Sequence, residues 1–300
     1  MGRLNVDFPK NIARFEAAMK KKFSIKTIFY QRIFRGKGPE FDCFRKYSED
    51  DDASLIDWKV SMRAGELLVK KYTEERNLKI FFIIDVGESM VLGSGENLKN
   101  EIVAEIAAAL AHLVVISGDE IGFALYSDRI AEMRMFNSGI RQFYLLEKNL
   151  KRAEVYRGKS ELKKILKYLM PYLKDALAVF IISDFLNLGE ESLKILREFL
   201  IRYETIGIMV RDPIDIKLPD LKREIVIEDI YTGKQMLINP SVIKEEYDKN
   251  AFYQRRKIEE AFKKTGSDLV MIQTDKDFIK PLTEFLKLRI KLNKIIVPAK

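Results

Sequence analysis

Asp85 and Ser89 are the residues whose types and spacing could do chemistry. Asp85 directly follows four apolar residues, 81–84, and Ser89 comes after a short loop that contains glycine and glutamate. A continuous apolar run is typical of a strand buried on both faces of a parallel sheet. Open α/β sheets bind their ligands outside the carboxyl ends of such strands. Since a carboxylate and a hydroxyl suit magnesium, the segment predicts both a fold and a site.

Two further loops place polar side chains in comparable positions. Asp184 follows the apolar residues 179–182, which repeats the pattern of the first strand. Ser160 comes two residues after Gly158, where we expect its hydroxyl to cap a helix and the glycine to allow a close approach of the backbone.

Other familiar kinds of site are excluded by residue type. The chain has one histidine and one cysteine, so it holds no Ser-His-Asp triad, no Cys-His pair and no zinc ligand set. Residues 93–95, Gly-Ser-Gly, lack the spacing of a phosphate loop and are interpreted as the turn into the next helix. Because most hydrolase and transferase mechanisms have no candidate residues here, we expect no enzymatic activity.

The elements that must position these residues alternate along the chain from residue 79. Strands are predicted at Lys79–Ile84, Glu120–Tyr126, Ile130–Met135, Ala176–Ser183, Thr205–Val210 and Leu269–Gln273. Helices are predicted at Leu98–Ile116, Ile140–Leu150, Ser160–Tyr172, Glu190–Tyr203, Val242–Thr265 and Lys276–Lys291. This alternation predicts an α/β fold with a doubly wound, mostly parallel sheet. Residues 127–129 are short enough for a hairpin, so one edge strand should be antiparallel.

Two regions are predicted on either side of residue 79. Residues 1–78 should hold a basic N-terminal helix, over residues 8–24, and a small β-rich region. Residues 79–300 should form the α/β domain, with an inserted β-hairpin near 223–238. The single tryptophan, Trp58, lies in the first region and is interpreted as a core residue beside a turn acid.

Composition places the chain among ordinary globular proteins. It is 47% hydrophobic and 33% charged, and its abundance of lysine, glutamate and isoleucine resembles that of proteins from hot environments. The one cysteine cannot form an internal disulfide, and no apolar run has the roughly 18 residues that a transmembrane helix needs. We therefore expect a cytoplasmic protein without a transmembrane segment.

The basic charge is concentrated at the N-terminus. Residues 1–37 contain ten Lys or Arg against two acidic residues, which accounts for the whole net charge of +8. Such a segment can attract nucleic acid or an anionic membrane surface. It can equally be the solvated face of a docking helix, because Ile12, Phe15, Met19 and Phe23 recur at helical spacing.

The loops that carry Asp85, Ser160 and Asp184 resemble those of a von Willebrand factor A-type domain, in which Asp-x-Ser-x-Ser follows the first strand. The resemblance implies a metal-ion-dependent adhesion site that binds magnesium or manganese and leaves one coordination position for an acidic residue of a partner. By position, its ligands would be Asp85, Ser89, Ser160 and Asp184. Gly87 stands where the family has its first serine, so we expect weaker metal binding.

A second resemblance covers roughly residues 28–290, and its most specific block lies upstream. The chain is similar to the domain-of-unknown-function family 58 through Gly38-Pro39-Glu40-Phe41, Arg45-Lys46-Tyr47, Asp51-Asp52, Ile56-Asp57-Trp58-Lys59, Arg63-Ala64-Gly65, Leu68-Val69-Lys70 and Glu74-Glu75-Arg76. The resemblance implies a non-enzymatic adaptor for a MoxR-type AAA+ ATPase, acting with a client protein in chaperone-like assembly or activation.

Two alternatives stay open. One is a magnesium-dependent phosphoesterase-like enzyme, which would have the acids but no evident base or phosphate clamp. The other is a protein that binds nucleic acid or a membrane surface through residues 1–37. A salt-dependent affinity that disappears when this segment is deleted would favour the second alternative.

Overall fold

A six-stranded sheet forms the centre of the protein. The computed structural model describes residues 4–20, 41–48, 56–72, 78–221, 223–229 and 232–291. The strands of the sheet are β3 (Lys79–Asp85), β4 (Glu120–Tyr126), β5 (Ile130–Ser138), β6 (Ala178–Ser183), β7 (Thr205–Arg211) and β10 (Asp268–Gln273). Their spatial order is β10-β7-β6-β3-β4-β5, and all neighbours are parallel except the antiparallel edge strand β5. The predicted α/β fold is confirmed, including the antiparallel edge.

Helices cover both faces of this sheet. The larger ones are α1 (Phe8–Lys20), α3 (Lys99–Ile116), α4 (Ile140–Leu150), α5 (Leu162–Leu169), α6 (Glu190–Arg202), α8 (Pro240–Thr265) and α9 (Ile279–Lys291). The predicted helix over 160–172 begins two residues late and ends as a 3-10 turn at Met170–Tyr172. Within the described residues, no helix is long and apolar enough to cross a membrane.

The alternation of side chains along β3 divides the core into two halves. Phe82 and its even-numbered neighbours on β3 pack on the face covered by α3, whereas Phe81 and Ile83 pack on the face covered by α5 and α6. Both halves are fully buried, which explains why this strand is apolar at almost every position.

Helix α1 docks on α3 and α9 through its apolar face. Phe8, Phe15 and Met19 are buried there, as the helical spacing of apolar residues predicts. The described helix ends at Lys20, so the predicted residues 21–24 and the basic positions up to 37 lie outside the described residues. For the described part, the docking-helix interpretation of the basic segment is the one that the packing supports.

The predicted small β region contains β1 (Phe41–Lys46) and β2 (Leu68–Tyr72), which pair antiparallel, and the short helix α2 (Trp58–Ala64). The Asp57 carboxylate caps α2 by accepting a hydrogen bond from the Val60 backbone N–H at 3.2 Å. The buried face of α2 carries Ser61, whose hydroxyl accepts a hydrogen bond from Leu68 N.

The interpretation of Trp58 as a core residue is wrong. Its side chain is 62% exposed, and Met62, one helical turn further on, is 83% exposed. In a helix of seven residues only one narrow face can contact β2, and Ser61 occupies that face. Trp58 and Met62, four residues apart, are neighbours on the adjoining, solvent-facing side of this helix.

The predicted hairpin lies between the short helix α7 (Pro213–Ile216) and α8, and consists of β8 (Ile225–Glu228) and β9 (Gln235–Ile238). It is separate from the central sheet. The division of the chain into domains at residue 79 stays a prediction.

Candidate functional site

Asp85 and Asp184 lie at the point where the strand order reverses. From β3 the chain proceeds to β4 and β5 on one side, and from β6 to β7 and β10 on the other. Because β3 and β6 are parallel neighbours, Asp85 at the end of β3 lies close to Asp184, which directly follows β6. This is the position at which open α/β sheets form a ligand crevice. Two of the predicted site residues are thus brought together by the sheet itself.

The Asp85 carboxylate is fully buried and accepts hydrogen bonds from neutral groups. Its Oδ1 atom accepts from the Gly87 backbone N–H at 2.9 Å. Its Oδ2 atom accepts from the hydroxyls of Ser160 and Ser183, both at 2.7 Å, and from the Tyr126 hydroxyl at 3.3 Å. Asp85 therefore joins three strands and the loop before α5 at one point.

The pKa of Asp85 is raised to about 6. Burial is the main cause, because it disfavours the charged form, and the nearby negative charge of Asp184 adds to it. The hydrogen bonds from Gly87, Ser183 and Ser160 act in the opposite direction but do not outweigh these effects. No cation contacts Asp85 among the hydrogen bonds and ion pairs of the described residues.

Ser160 does not cap a helix, in contrast to the prediction. Helix α5 begins at Leu162 after the N-cap residue Glu161, so the Ser160 hydroxyl is free to bind Asp85. The predicted close approach at Gly158 is confirmed, since φ is +82° and a Cβ atom there would lie 2.4 Å from Asp128 Oδ1. The Ser160 loop is therefore fixed by contact with the sheet edge and not by the helix that follows.

Glu88 ties the first loop to the Ser160 loop. Its carboxylate accepts a hydrogen bond from the Gly158 backbone N–H at 3.0 Å, and its own backbone N–H donates to the Gly158 carbonyl at 2.9 Å. This two-way contact holds the two loops together.

Asp184 is paired with a buried lysine. Lys99 Nζ lies 3.0 Å from Asp184 Oδ2 and 3.0 Å from Asp215 Oδ2, and the Lys99 side chain is 1% exposed. Burial works against the charged lysine, but the two carboxylates outweigh it and raise the pKa of Lys99. The other Asp184 oxygen, Oδ1, accepts from the Leu186 backbone N–H at 3.0 Å. Both oxygens of Asp184 thus have partners within the chain.

The loop after Asp184 is held in an uncommon backbone conformation. Phe185 has φ +50°, in the left-handed region that a bulky side chain rarely adopts. Its backbone N–H donates to the Ser183 hydroxyl at 2.9 Å, and its ring is buried edge-on against Phe262. Such a conformation persists because the surrounding contacts determine it, and it fixes the direction of the Asp184 loop.

A neighbouring acid, Asp212, anchors the Gly-Ser-Gly turn at residues 93–95. From the sequence, this turn was predicted only to lead into the next helix. The Asp212 carboxylate accepts from the Ser94 backbone N–H at 2.8 Å, from the Ser94 hydroxyl and from the Thr274 hydroxyl at 3.0 Å. Burial alone would raise the pKa of Asp212, but these hydrogen bonds and one from Ile214 lower it. The turn is therefore part of the same polar edge.

The four predicted ligands, Asp85, Ser89, Ser160 and Asp184, do not fit a divalent ion held by both acids. Lys99 already neutralises Asp184, and a divalent ion beside Asp184 would be repelled by the ammonium. Both carboxylates are at most 1% exposed, whereas an adhesion site needs an open coordination position. Ser89 is buried on the 3-10 turn Glu88–Val91, and its hydroxyl has no hydrogen bond to the described residues. Magnesium or manganese binding stays a prediction of the family resemblance, and these contacts argue against it.

Gly87 marks another departure from the adhesion-site pattern. A Cβ atom at this position would lie 3.2 Å from Asp85 Oδ1 and 3.2 Å from the Ser160 backbone nitrogen. A serine there would have to push the two loops apart by a few tenths of an ångström. Where the adhesion-site pattern has a serine hydroxyl, Gly87 instead allows the loop after β3 to contact the Ser160 loop directly.

Sequence reasoning missed Lys99, Ser183, Tyr126 and Asp215. One signal pointed to Lys99, because a cation in the first turn of a helix opposes the helix dipole and needs a compensating acid. Ser183 follows a buried strand directly before Asp184, which places it beside the site by sequence alone. Tyr126 and Asp215 reach the site only through strand pairing and loop folding, so no local pattern indicated them.

Comparison with known proteins identifies relatives of unknown function. The sequence profile of the family described as "Protein of unknown function DUF58" matches residues 43–257. An uncharacterized protein of Mycobacterium tuberculosis, Rv1480, is 26% identical over 263 residues, which cover 86% of this chain and 81% of the relative. The uncharacterized protein Mb1516 of Mycobacterium bovis matches with the same identity and coverage.

Two solved structures share a distant likeness with this chain. The conserved hypothetical protein BatB from Bacteroides thetaiotaomicron has a TM-score of 0.47 at 9% identity, covering 72% of this chain and 100% of that one. An aerotolerance-related membrane protein from Bacteroides fragilis has a TM-score of 0.44 at 9% identity, with the same coverage. Likeness of this degree does not bear on partner or activity.

Proposed function

Since the chain belongs to the DUF58 family, whose function is unknown, we propose that it is a non-enzymatic protein-interaction module. Its partner in this proposal is a MoxR-type AAA+ ATPase, and it acts as an adaptor for a client protein in chaperone-like assembly or activation. The partner follows from the resemblance of the segment 36–90 to this family.

The observation that carries the proposal is the exposed apolar ridge of Trp58 and Met62 on α2. The Trp58 side chain is 62% exposed and that of Met62 is 83% exposed. Their apolar surface is in contact with water, which is unfavourable, and it does not stabilise the core. Tryptophan and methionine are enriched in the centres of protein interfaces, and tryptophan is among the residues that contribute most binding energy there. The ridge lies inside the part of the chain that matches the family.

The hairpin β8–β9 offers a second apolar surface. Val226, Ile227, Met236 and Leu237 are all exposed on this two-stranded sheet. An isolated hairpin buries too little surface to be stable by itself, and clustered exposed apolar side chains are typical of sites that bind other proteins. In the proposal, the ridge and the hairpin supply separate surfaces for the ATPase and the client.

The polar edge around Asp85 and Asp184 has a supporting role in this proposal. Its carboxylates are buried and its loops are tied together by internal hydrogen bonds and by Lys99. It therefore holds neighbouring loops in fixed positions, and partner binding should not depend on a divalent ion. This differs from the adhesion-site mechanism, in which chelation would abolish binding.

Capture of a purified MoxR-type ATPase tests the proposal. Trp58→Ala should weaken capture at least tenfold, as expected for a loss of 1.4 kcal/mol or more at an interface centre. Met62→Ala should act in the same direction. Tyr144→Ala removes a comparably exposed aromatic side chain from α4 and should leave capture unchanged. Equal capture by all three variants and the wild type would contradict the proposal.

A further inference from the structure

A small cavity with positively charged walls lies beside the polar edge, between the end of β7, α7 and α8. Its volume is about 100 Å³, and the residues that line it include Arg211, Asp215, Lys217, Asp248, Phe252 and Arg255. The cavity is separate from the Asp85 cluster, although Asp215 contributes to both.

Arg211 is a buried cation with an unsatisfied donor. The residue is 2% exposed, and its Nε has no hydrogen-bond partner among the described residues. Its hydrogen bond to the described residues is a long one, from Nη2 to the Phe185 carbonyl at 3.5 Å. Burial lowers the pKa of Arg211, and the nearby negative charges of Asp184 and Asp215 act against that shift. A buried donor without a partner is unfavourable, so a ligand that accepts a hydrogen bond from it would be stabilised there.

The second guanidinium of the cavity is that of Arg255. Its Nε is buried and makes no hydrogen bond to the described residues. Arg255 is held by an ion pair between Nε and Glu259 Oε1 at 3.3 Å and by the Phe252 ring, whose centroid lies 5.5 Å from the guanidinium carbon. Lys217 adds a third positive charge, at an exposed position of the lining.

The two acids of the cavity already have other partners. Asp215 Oδ2 accepts from Lys99 at 3.0 Å and from the Asp212 backbone N–H at 3.0 Å. Asp248 accepts from the Leu218 backbone N–H at 2.8 Å and lies 3.2 Å from Lys244 Nζ. Neither is hydrogen-bonded to Arg211, so the Nε donor of the guanidinium is left for a ligand.

The geometry points to a binding site for a small tetrahedral oxyanion of the phosphate or sulfate class. Arg211 and Arg255 would donate hydrogen bonds from Nε to the anion. Lys217 would add a third positive charge at the opening of the cavity. A cavity of about 100 Å³ holds roughly three water molecules at liquid density, which is room for one such anion. An oxyanion accepts charge-assisted hydrogen bonds from these guanidinium groups, and such bonds are stronger than those that water accepts.

Titration of the purified chain with inorganic phosphate, followed by calorimetry and by thermal unfolding, tests this site. Phosphate should raise the thermal midpoint of the wild type, because a ligand that binds the folded state stabilises it. Arg211→Met should weaken phosphate affinity about tenfold or more, since it removes charge-assisted hydrogen bonds, and Arg255→Met should weaken it as well. Arg256→Met is the matched control, because Arg256 neighbours Arg255 on α8 but is exposed to solvent.

A second readout distinguishes a binding role of Arg211 from a structural one. In phosphate-free buffer, Arg211→Met should unfold at an equal or higher temperature than the wild type, because it removes a buried donor that has no hydrogen-bond partner among the described residues. Failure of the wild type to bind phosphate, or equal phosphate binding by Arg255→Met and the wild type, would overturn the assignment. Acetate binding more tightly than phosphate would overturn the tetrahedral class. If Arg211→Met does not fold, Arg255→Met and Lys217→Met still decide the question.

Discussion

Two neighbouring regions at the carboxyl edge of the sheet each contain a buried cation, and the two cations differ in the partners that they have within the described residues. Around Asp184, Lys99 is held between two carboxylates at 3.0 Å each, so a buried cation and its acids compensate one another. Around Arg211, a similarly buried cation makes only a long hydrogen bond to the described residues, and its Nε donor has no partner among them. The two regions even share Asp215, which lines the cavity but is bound to Lys99.

The difference separates structural charge from charge that is available to a ligand. Desolvation penalises both cations, and only a well-placed partner offsets that penalty. Lys99 has such partners within the chain, so its contribution is to stability. Arg211 keeps an Nε donor without a hydrogen-bond partner among the described residues, and this donor is available to a ligand. A polar cluster that resembles a known binding site by residue type can thus be internally satisfied, while a less conspicuous neighbour carries the unsatisfied donor.

The largest expected effect comes from removing Lys99. Lys99→Met leaves Asp184 and Asp215 without their cation, and breaking a buried pair on one side typically costs about 3–5 kcal/mol. The free energy of unfolding, measured with urea, should fall by that amount. Lys163→Met is the control, because Lys163 pairs with Glu191 at 2.8 Å on the surface and should matter little. Similar small losses in both variants would mean that the Lys99 network is not a stabilising one.

A pH profile should show which acid of the cluster lacks a cation. The pKa of Asp85 in the folded protein is about 6, above the 3.8 of an unperturbed carboxyl group, because of burial and the charge of Asp184. The folded state therefore binds the proton more tightly, and this stabilisation is full below about pH 4 and is lost as the pH rises through 6. Relative to Asp85→Asn, the wild type should lose on the order of 2–3 kcal/mol between pH 4 and 8.

Urea unfolding of both proteins across this range, in the presence of a chelator, measures the difference. Parallel profiles for the wild type and Asp85→Asn would contradict the raised pKa. A wild type that gains stability relative to the variant as the pH rises would show that a positive charge compensates Asp85 after all.

An acid introduced beside Arg211 should give this residue a partner within the chain, as Asp184 and Asp215 are for Lys99. Ala251 lines the cavity from α8, and Ala251→Glu places a tethered carboxylate within it. We expect the free energy of unfolding to rise by about 1.5 kcal/mol in phosphate-free buffer, the lower end of what a hydrogen bond to a charged group contributes. Phosphate should no longer stabilise this variant. Ala251→Gln, which adds the same bulk without charge, should not gain stability, and an equal gain would attribute the effect to packing.

The smallest expected effect is that of magnesium on the wild type. Because Lys99 supplies the positive charge beside Asp184, millimolar magnesium should leave the thermal midpoint unchanged. Lys99→Met should respond to magnesium, since the ion can then replace the ammonium between Asp184 and Asp215. A magnesium shift in the wild type that disappears in Asp85→Ala and Asp184→Ala would instead establish the adhesion-type cation site.

The sequence by itself determined the fold class and the edge at which polar residues gather. Strand and helix positions followed from apolar periodicity, because each core segment must match the repeat of its own secondary structure. Asp85 and Asp184 could be placed together for the same reason, since parallel strands bring their carboxyl ends to one edge. The antiparallel edge strand β5 followed from a three-residue connection that is too short for a crossover.

Only the tertiary structure decided what those residues do. Whether Asp184 is open to a metal depends on Lys99, 85 positions away, and the unsatisfied Nε donor of Arg211 depends on how α8 packs against β7. Trp58 has the composition of a core residue, and its exposure follows from which narrow face of α2 meets β2. Pairing between residues far apart in the chain leaves no periodic trace in the sequence. Burial and charge compensation, which set the chemistry of this edge, are therefore properties of the folded chain alone.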